Sequence, residues 1–333
     1  MSILRYLFML VALTPDVVLA QDIEVRELSR PITILGDERT GSHLNRLADL
    51  TSGNGDTLYV LDAGDNQVVA FDVYGTELFR FGRGGSGPGE FSRPRAIAFS
   101  GQSVFVGDYG LSRVEEFSSR GEYIRSIKMP AQPNGGLVAY QGRLYVGVQS
   151  QQSLVLRVPV EHPDEYVHFL TFDHPRFQEF DGMERFRNGQ VEMAVGETGL
   201  IIAFPSIGGF MFVPWGISPE QCHVIEPHSE LIDREWERFA DLYERFGGAA
   251  NMQLFNRVDE WLPGKILLEV RTGHAETFHA IAITVDANTG EELGPRLKPG
   301  DAHHGRLCLL KGNKLAWINW GNSTVSIFET NRR

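Results

Sequence analysis

Residues 82–129 read GRGGSGPGEFSRPRAIAFSGQSVFVGDYGLSRVEEFSSRGEYIRSIKM and contain the clearest strand-and-turn pattern of the chain. Four short runs rich in β-branched and aromatic residues, at 96–99, 104–106, 113–117 and 123–127, are separated by turns rich in Gly, Ser and Asp. Such runs between such turns predict antiparallel strands joined by hairpins. A four-stranded sheet of this size cannot bury both of its faces alone, so it requires similar sheets beside it.

The sequence contains further copies of this four-stranded unit. Six positions recur 46 residues later with the same residue type: Gly55, Val60, Asp62, Val68, Phe71 and Gly75 match Gly101, Val106, Asp108, Val114, Phe117 and Gly121. Weaker copies begin near residues 142, 199, 264 and 312. Repeats of four strands with a period of about 40–50 residues are typical of propeller blades. We therefore predict an all-β, six-bladed β-propeller with four-stranded blades.

The last repeat is incomplete at its outer edge. After the apolar run 323–328 only residues 329–333 remain, so the sixth unit has no fourth strand of its own. A strand-like run at 23–35 precedes the first unit and has no blade of its own. An uncovered sheet edge invites association with other chains, and closing the ring removes that edge. We therefore predict that the N-terminal strand closes the last blade.

The second unit also carries a family resemblance. The segments GSGPGEFSRPRAIAF (85–99) and VGDYGLSRVEEFSSRGEYI (106–124) resemble the NHL-type repeat of six-bladed β-propellers. That repeat has a Gly-Pro-Gly-Phe-like turn, an Asp after the second strand, Arg-Val in the third and a Gly before the fourth. The resemblance is close in the second unit, fair in the first and weak beyond residue 146. It implies the propeller fold of an exported bacterial protein and names no substrate.

The N-terminus has the features of a secretion signal. Residues 1–20 contain Arg5, an apolar run at 6–13 and the small-residue ending Val18-Leu19-Ala20 before Gln21. Pro15 and Asp16 cut the apolar run short, which argues against a membrane anchor. We expect a signal peptide at 1–20, a single propeller domain at 21–333, and a secreted or periplasmic protein without stable membrane insertion.

Composition excludes some functions and bears on the cysteines. The chain has 333 residues and a formal net charge of −12 without a clustered basic stripe, which argues against nucleic acid binding. Cys222 and Cys308 fall in the fourth and sixth units, which are not neighbours in a six-bladed ring. The blade assignment therefore favours two separate buried thiols over the disulfide that an exported protein with two cysteines suggests.

One segment has helical periodicity. Between residues 229 and 247 the apolar residues step by four, three, four and three: Ile232, Trp236, Phe239, Tyr243 and Phe246. This spacing predicts an amphipathic helix inserted between the fourth and fifth units. Ser229 is the predicted N-cap and Gly247 the stop. We expect the apolar stripe to pack on the propeller rather than on a partner.

Basic residues recur where the chain enters the innermost strands. Equal positions in a repeat lie at equal heights around the axis, so we expect convergence of Arg46, Arg95, Arg257 and His304 at one end of the channel. His43, Arg113 and Arg271 lie in loops predicted at the same face. A basic ring on an acidic protein suits a small anionic or carboxylate ligand. The alternative is that neighbouring acids pair with these arginines and brace the ring.

A metal site is a second hypothesis for the same face. Candidate ligands are His274, Glu276, His303 and His304, with Ca²⁺ and Zn²⁺ equally open. The spacing matches no tight ligand pattern, and adjacent histidines on a strand point to opposite faces. The expectation is therefore that the protein has no cofactor.

Catalytic signatures are missing from the sequence. It contains no Gly-x-Ser-x-Gly elbow, phosphate-binding glycine loop or paired-cysteine zinc motif. We interpret the chain as a monomeric binding module whose ligand or exported protein partner is held at the channel mouth or upper loops. A metal-dependent lyase or hydrolase of the lactonase kind and a scaffold for protein–protein interaction stay open as alternatives.

Overall fold

The structure is a computed structural model of the 333-residue chain. It describes residues 25–28, 30–36, 41–171, 190–205, 208–246, 254–272, 279–299 and 305–330. The predicted signal peptide lies outside these residues. No helix in the described part of the chain is long and apolar enough to cross a membrane.

Six four-stranded antiparallel sheets form the blades of a propeller, as predicted. From the channel outward, the first three blades are formed as follows. Blade 1 contains β3 (Leu47–Ser52), β4 (Thr57–Asp62), β5 (Gln67–Asp72) and β6 (Glu77–Phe81). Blade 2 contains β9 (Pro94–Ser100), β10 (Ser103–Asp108), β11 (Arg113–Ser118) and β12 (Tyr123–Lys128). Blade 3 contains β13 (Gln132–Tyr140), β14 (Arg143–Gln149), β15 (Ser153–Pro159) and β16 (Val167–Thr171).

The other three blades follow the same order. Blade 4 contains β17 (Glu192–Val195), β18 (Gly199–Phe204), β19 (Gly209–Pro214) and β20 (Val224–Ile225). Blade 5 contains β21 (Phe255–Leu262), β22 (Lys265–Thr272), β23 (His279–Asp286) and β24 (Arg296–Lys298). Blade 6 contains β25 (Leu307–Leu310), β26 (Lys314–Asn319) and β27 (Thr324–Glu329) from the C-terminal part of the chain.

The N-terminal segment completes blade 6, which confirms the predicted closure. Strand β2 (Thr33–Leu35) pairs antiparallel with β27 and supplies the missing outer strand. The upstream half of the segment lies elsewhere, because β1 (Val25–Glu27) pairs in parallel with β24 as a fifth strand of blade 5. Pro31 lies between the two strands and lacks the N–H that a continuous ladder requires. The N-terminal segment therefore joins two neighbouring blades.

The core lies between the facing sheets of neighbouring blades. The interface of blades 1 and 2 illustrates it: the rings of Tyr59 and Phe99 stack at 5.7 Å, and those of Phe81 and Phe117 lie 4.8 Å apart. The Tyr59 hydroxyl donates to the carbonyl of Ser119 in the next blade. Burying each such ring stabilises the fold by about 1.5–3 kcal/mol, so every blade depends on its neighbours.

The Gly-rich turn before blade 2 forms a small parallel pair of strands, β7 (Arg83–Gly84) and β8 (Glu90–Phe91). Gly82 has φ of +78°, and a Cβ there would lie 2.2 Å from the ring of Phe91. Only glycine fits this close approach in a left-handed conformation. The glycines of this turn therefore serve local packing.

The inserted helix is confirmed as α1 (Glu230–Phe246). Leu231 and Ile232 are buried against blades 4 and 5, and Trp236 packs on the same cluster. The predicted cap is wrong in detail, because the Ser229 hydroxyl is buried without a hydrogen-bond partner in the described chain. Ser229 nevertheless occupies the predicted N-cap position, because its carbonyl accepts the first intrahelical hydrogen bond, from the N–H of Asp233.

The two cysteines are not joined, as the blade assignment predicted. Cys222 lies in the cluster formed by blades 3 and 4, whereas Cys308 lies in the cluster of blades 6 and 1. Both thiols are buried.

Candidate functional site at the channel mouth

One repeat position determines what fills the channel. In every blade, the fourth residue of the second strand pairs with one residue of the innermost strand. These six innermost-strand residues are apolar and buried: Leu50, Ile97, Leu137, Met193, Val258 and Leu307. The residue just before each of them differs from blade to blade: Asp49, Ala96, Gly136, Glu192, Arg257 and Arg306 in blades 1 to 6. Successive strand residues point to opposite faces, so these six residues form a second, structurally equivalent layer.

Four members of this layer form a buried ionic network, here called the charge layer: Asp49, Glu192, Arg257 and Arg306. Arg257 Nη1 lies 3.2 Å from Asp49 Oδ1, and Arg306 Nη1 lies 3.4 Å from the same oxygen. Arg306 Nη2 lies 2.7 Å from Glu192 Oε1. These contacts join blades 1, 4, 5 and 6. With all four groups ionised the charge layer is neutral.

Burial and mutual interaction shift the pKa values of groups in the charge layer. Burial raises the pKa of Glu192, and the guanidinium groups of Arg306 and Arg257 only partly oppose this. Burial alone lowers the pKa of Arg257, but Asp49 and Glu192 together outweigh it and leave that pKa raised. Arginine thus stays charged, as expected for this side chain. Buried arginines therefore need Asp49 and Glu192 as counter-charges.

Asp49 also connects neighbouring blades. Its Oδ2 accepts the backbone N–H of Ile97 in blade 2 at 3.0 Å. Elsewhere in the ring, Glu269 Oε2 accepts the N–H of Leu307, and Asp259 Oδ2 accepts the N–H of Leu309. These bonds run from blade 5 to blade 6. The buried Asp49 and Glu269 and the half-buried Asp259 thus accept innermost-strand N–H groups of the next blade, which would otherwise be unsatisfied.

The aspartates at the end of the second strands hold the entrance loops. Asp62 accepts the backbone N–H groups of Asn45 and Arg46 at 2.9 and 3.0 Å. Asp108 does the same in blade 2 for Ser92 and Arg93, at 2.7 and 3.2 Å. The loops between second and third strands therefore lie at the same face as the entrances to the innermost strands, as predicted. Arg46 and Arg93 occupy equivalent places in their blades.

A cavity of about 310 Å³ opens above the charge layer at this face. Its walls come from blades 1, 2, 3 and 6 and from the entrance to blade 4: Arg46, Leu47, Ala48, Ala63, Arg93, Pro94, Arg95, Gly135, Gln190, Arg306 and Trp320. The layer residues of blades 2 and 3 are Ala96 and Gly136, and a Cβ on Gly136 would lie 2.7 Å from the Met193 nitrogen. The small residues of these blades carry no charge, so the charge layer is confined to the other side of the channel.

Three of the four lining arginines, Arg46, Arg93 and Arg95, form what we call the rim. In the described part of the chain these three have no ion pair with a carboxylate, whereas Arg306 is paired below them. Burial lowers the pKa of Arg95, and Arg93, Arg306 and Arg46 lower it further. The rim is therefore a cluster of like charges.

An aromatic ring supports the rim of blade 2. The guanidinium carbons of Arg93 and Arg95 lie 5.0 and 5.1 Å from the ring centroid of Tyr109. The Tyr109 hydroxyl donates to Gln149 Oε1 at 3.0 Å. Cation–π contacts of this kind are worth about 0.5–1 kcal/mol at exposed sites. Tyr109 thus holds two like charges side by side.

The predicted site residues fall into two groups. Arg46 and Arg95 share the cavity, and Arg257 lies beneath it in the charge layer. His43 is exposed, and its Nδ1 lies 3.0 Å from the Leu44 carbonyl. His43 does not line the cavity. His304 lies outside the described residues.

The other two predicted arginines lie away from the cavity. Arg113 donates to the carbonyls of Ser86, Gly87 and Glu90 and pairs with Glu115, so it holds the Gly-rich turn. Arg271 lies at the end of β22 in blade 5. Burial lowers its pKa, which Glu269 raises and Arg238 of α1 lowers.

The prediction missed Arg306 and Glu192, although a signal for Arg306 was present. Arg306 directly precedes the apolar Leu307, just as Arg257 directly precedes Val258. The expectation that a basic residue in this position lies at the channel therefore applies to Arg306 once Leu307 is taken as the start of the strand. The prediction began that strand at Gly305 and selected His304 instead. Glu192 follows a stretch outside the described residues, and blade 4 has too little repeat signal to align it.

The structure does not test the predicted metal ligands. His274, Glu276, His303 and His304 lie outside the described residues. Among the residues that are described, no group of three or more His, Cys, Asp or Glu side chains is arranged to hold a metal ion.

Comparisons with known proteins support the fold alone. No protein-family model matches the chain, and no curated protein matches it. A solved nidogen/laminin complex is similar with a TM-score of 0.53 and 13% identity, over 76% of this chain and 80% of that chain. Kuenenia stuttgartiensis hydrazine synthase is similar with a TM-score of 0.50 and 15% identity, over 94% of this chain and 80% of that chain. At such identities the likeness concerns the fold alone, and the six blades are counted from this chain's own sheets.

Proposed function

We propose that this protein is a binding module that holds a small oxyanion, a carboxylate above all, in the channel-mouth cavity. One observation supports this most strongly: Arg46, Arg93 and Arg95 line one cavity without a carboxylate partner in the described chain. The charges beneath them are balanced by Asp49 and Glu192. The rim is therefore the part of the site with unmet positive charge.

The chemistry of the rim fits an oxyanion. Guanidinium groups bind carboxylates and phosphates through two parallel hydrogen bonds, and such charge-assisted bonds contribute about 1.5–3 kcal/mol each. Arg95 is half-buried, so its field is less screened than that of an arginine fully in water. A bound anion also relieves the repulsion among the three cations. Both effects favour an occupied cavity.

Titration calorimetry at low salt with acetate, benzoate and inorganic phosphate tests this proposal. Arg46→Gln/Arg95→Gln removes two rim charges and leaves the charge layer intact. We expect the affinity for any bound anion to fall by about 30- to 1000-fold, the equivalent of about 2–4 kcal/mol. Arg257 is unsuitable for this test, because its loss leaves Asp49 buried with reduced pairing.

The matched control is Arg120→Gln/Arg143→Gln. Both residues are exposed and lie at turns of the opposite face, and the control removes the same total charge. It should bind anions like the unmodified protein. Absence of anion binding up to about 10 mM, equal binding by the rim variant, or an equal loss in the control would refute the proposal.

Other parts of the proposal rest on the sequence. We propose an NHL-type propeller that acts after export, secreted or in the periplasm, as a monomer. The Asp62 and Asp108 contacts support the repeat type, since the motif aspartate in both blades holds the entrance loop. In the described chain, no contact favours a metal-dependent lyase or hydrolase or a protein scaffold over the binding module.

A further inference from the structure

Trp320 is an unusual residue for the cavity wall. It follows the second strand of blade 6 directly, lines the cavity and is 37% exposed. Large apolar side chains gain about 1.5–3 kcal/mol on burial, so an exposed indole at a concave site suits a ligand that covers it. Within the described chain Trp320 makes no ring contact, cation–π contact or hydrogen bond through its side chain.

The equivalent positions show why this matters. Asp62, Asp108 and Asn319 each end a second strand, so Ala63, Tyr109 and Trp320 are equivalent in blades 1, 2 and 6. The ring of Tyr109 contacts the guanidinium groups of two rim arginines, and its hydroxyl donates to Gln149. Ala63 is small and leaves room beside it. Trp320 is thus the aromatic ring of the mouth that the described chain leaves unstacked.

The cavity has a polar and an apolar part. Leu47, Ala48, Ala63 and Pro94, whose side chains carry no polar group, line it together with Trp320. Among the described lining residues, Gln190 alone has a neutral polar side chain other than the indole, and its amide donates to Asn134 Oδ1 at 3.1 Å. The lining arginines offer only donors, so a ligand body with many hydroxyls, such as a sugar acid, would find few side-chain acceptors here for its O–H groups. A flat apolar ring needs none.

The cations also differ in depth. The side chain of Arg306 is 11% exposed, Arg95 is half-buried, and Arg46 and Arg93 are exposed. A carboxylate gains most where the guanidinium groups are least solvated. Arg306 is already paired with Asp49 and Glu192, so the carboxylate end of a ligand belongs at Arg95, and the rest of the ligand extends toward Trp320. At about 310 Å³ the cavity is at the small end of ligand sites, which suits a ligand of one or two rings.

We infer that the anion is an aromatic carboxylate, with its carboxylate at Arg95 and its ring against the indole of Trp320. This inference rests on the proposed function and specifies the ligand class of the same cavity. Ring stacking contributes through offset or edge-to-face contact in addition to the buried area. The ring accordingly sets selectivity, and the arginines set the requirement for charge.

Calorimetric titration with four oxyanions, benzoate, acetate, glucuronate and phosphate, separates the contribution of the aromatic ring from that of the charge. We expect the unmodified protein to bind benzoate at least about 10-fold more tightly than acetate or glucuronate. Trp320→Ala should weaken benzoate binding by about 10-fold and leave acetate binding unchanged. Trp320→Phe keeps a ring and should retain most of the benzoate preference.

The outcomes distinguish this inference from the function it rests on. Equal affinity for benzoate and acetate, tighter binding of glucuronate, or an equal loss of both ligands in Trp320→Ala overturns the aromatic class and leaves anion binding standing. If none of the four ligands binds, the proposed function and this inference fail together. Thermal melting of both Trp320 variants checks that each still folds cooperatively.

Discussion

The charge layer and the rim use the same residue type in opposite ways. Arg257 and Arg306 are buried, and Asp49 and Glu192 pair with them across the channel. Arg46, Arg93 and Arg95 lie just above and have no such partner in the described chain. A charge taken out of water must be compensated by the fold itself, whereas a solvated charge is left for a ligand. The difference therefore separates arginines that hold the ring from arginines that bind.

The largest effect is expected at Asp49. Asp49→Ala removes a carboxylate that contacts two buried guanidinium groups and accepts the Ile97 N–H. We expect the free energy of unfolding to fall by about 3–5 kcal/mol, the usual cost of leaving a buried charge unpaired. Urea denaturation measures it. A loss below about 1 kcal/mol would show that water compensates the charge layer.

A double variant sharpens this result. Asp49→Asn/Arg257→Met removes one charge of each sign and leaves Glu192 paired with Arg306. Its destabilisation should be smaller than the sum of the two single variants, because each single change leaves an uncompensated partner. Additive effects would mean that the two groups stabilise the fold independently.

The thiol of Cys308 reports on solvent access to the charge layer. Burial raises the pKa of Cys308 to about 12, with Asp259 adding to the shift. Thiolate is the reactive form, so native labelling by a disulfide reagent at pH 8 should be about 10³-fold slower than in the unfolded chain. Cys222→Ser removes the second thiol from the measurement. Rapid labelling of Cys308 in the native protein would show that solvent and reagent reach the charge layer.

A pH effect of intermediate size is expected at Glu192. Its pKa is raised by burial, so the folded state binds the proton more tightly than the unfolded state. This contribution to stability is full below the unfolded value of about 4.3 and is lost as the pH rises through the folded pKa. The free energy of unfolding of Glu192→Gln, minus that of the unmodified protein, should therefore become more positive as the pH rises from 4 to 7. Urea melts at several pH values measure this, and a constant difference would be evidence against a raised pKa.

The smallest effect on stability is expected at the rim. Arg46→Gln/Arg95→Gln should change the free energy of unfolding by no more than about 0.5 kcal/mol, as is usual for substitutions away from buried networks. Because the variant no longer has the repulsion of Arg95 by Arg93 and Arg306, we expect its free energy of unfolding to rise slightly, if it changes. Thermal melting in dilute buffer checks this. A loss of several kcal/mol would place the rim with the charge layer.

Much of the architecture follows from local sequence. The Gly, Val, Asp and Phe positions that recur 46 residues apart predict blades 1 and 2, because turn chemistry and strand alternation act over a few residues. The same reasoning predicts α1 from its apolar stripe. The orphan N-terminal run predicts the closure of blade 6, since an exposed edge needs a partner.

The site needed the tertiary structure. Arg46 and Arg257 each directly precede an apolar residue that the sequence predicts as the start of an innermost strand, yet Arg46 lies at the rim and Arg257 is buried. The strand registers decide this: β21 begins at Phe255 and places Arg257 inside the strand, whereas β3 begins at Leu47, after Arg46. Register depends on pairing between strands and shifts at bulges, which no single run of residues specifies.

The number of blades, the helix and the basic groups at the strand entrances follow from the amino-acid sequence, because each depends on short-range patterns. Which arginines are neutralised depends on the folded ring. Asp49 and Arg257 are 208 residues apart along the chain and meet because the ring brings blades 1 and 5 to the same channel. Compensation of a buried charge is a property of such long-range contacts, and so the unpaired rim becomes visible only in the folded molecule.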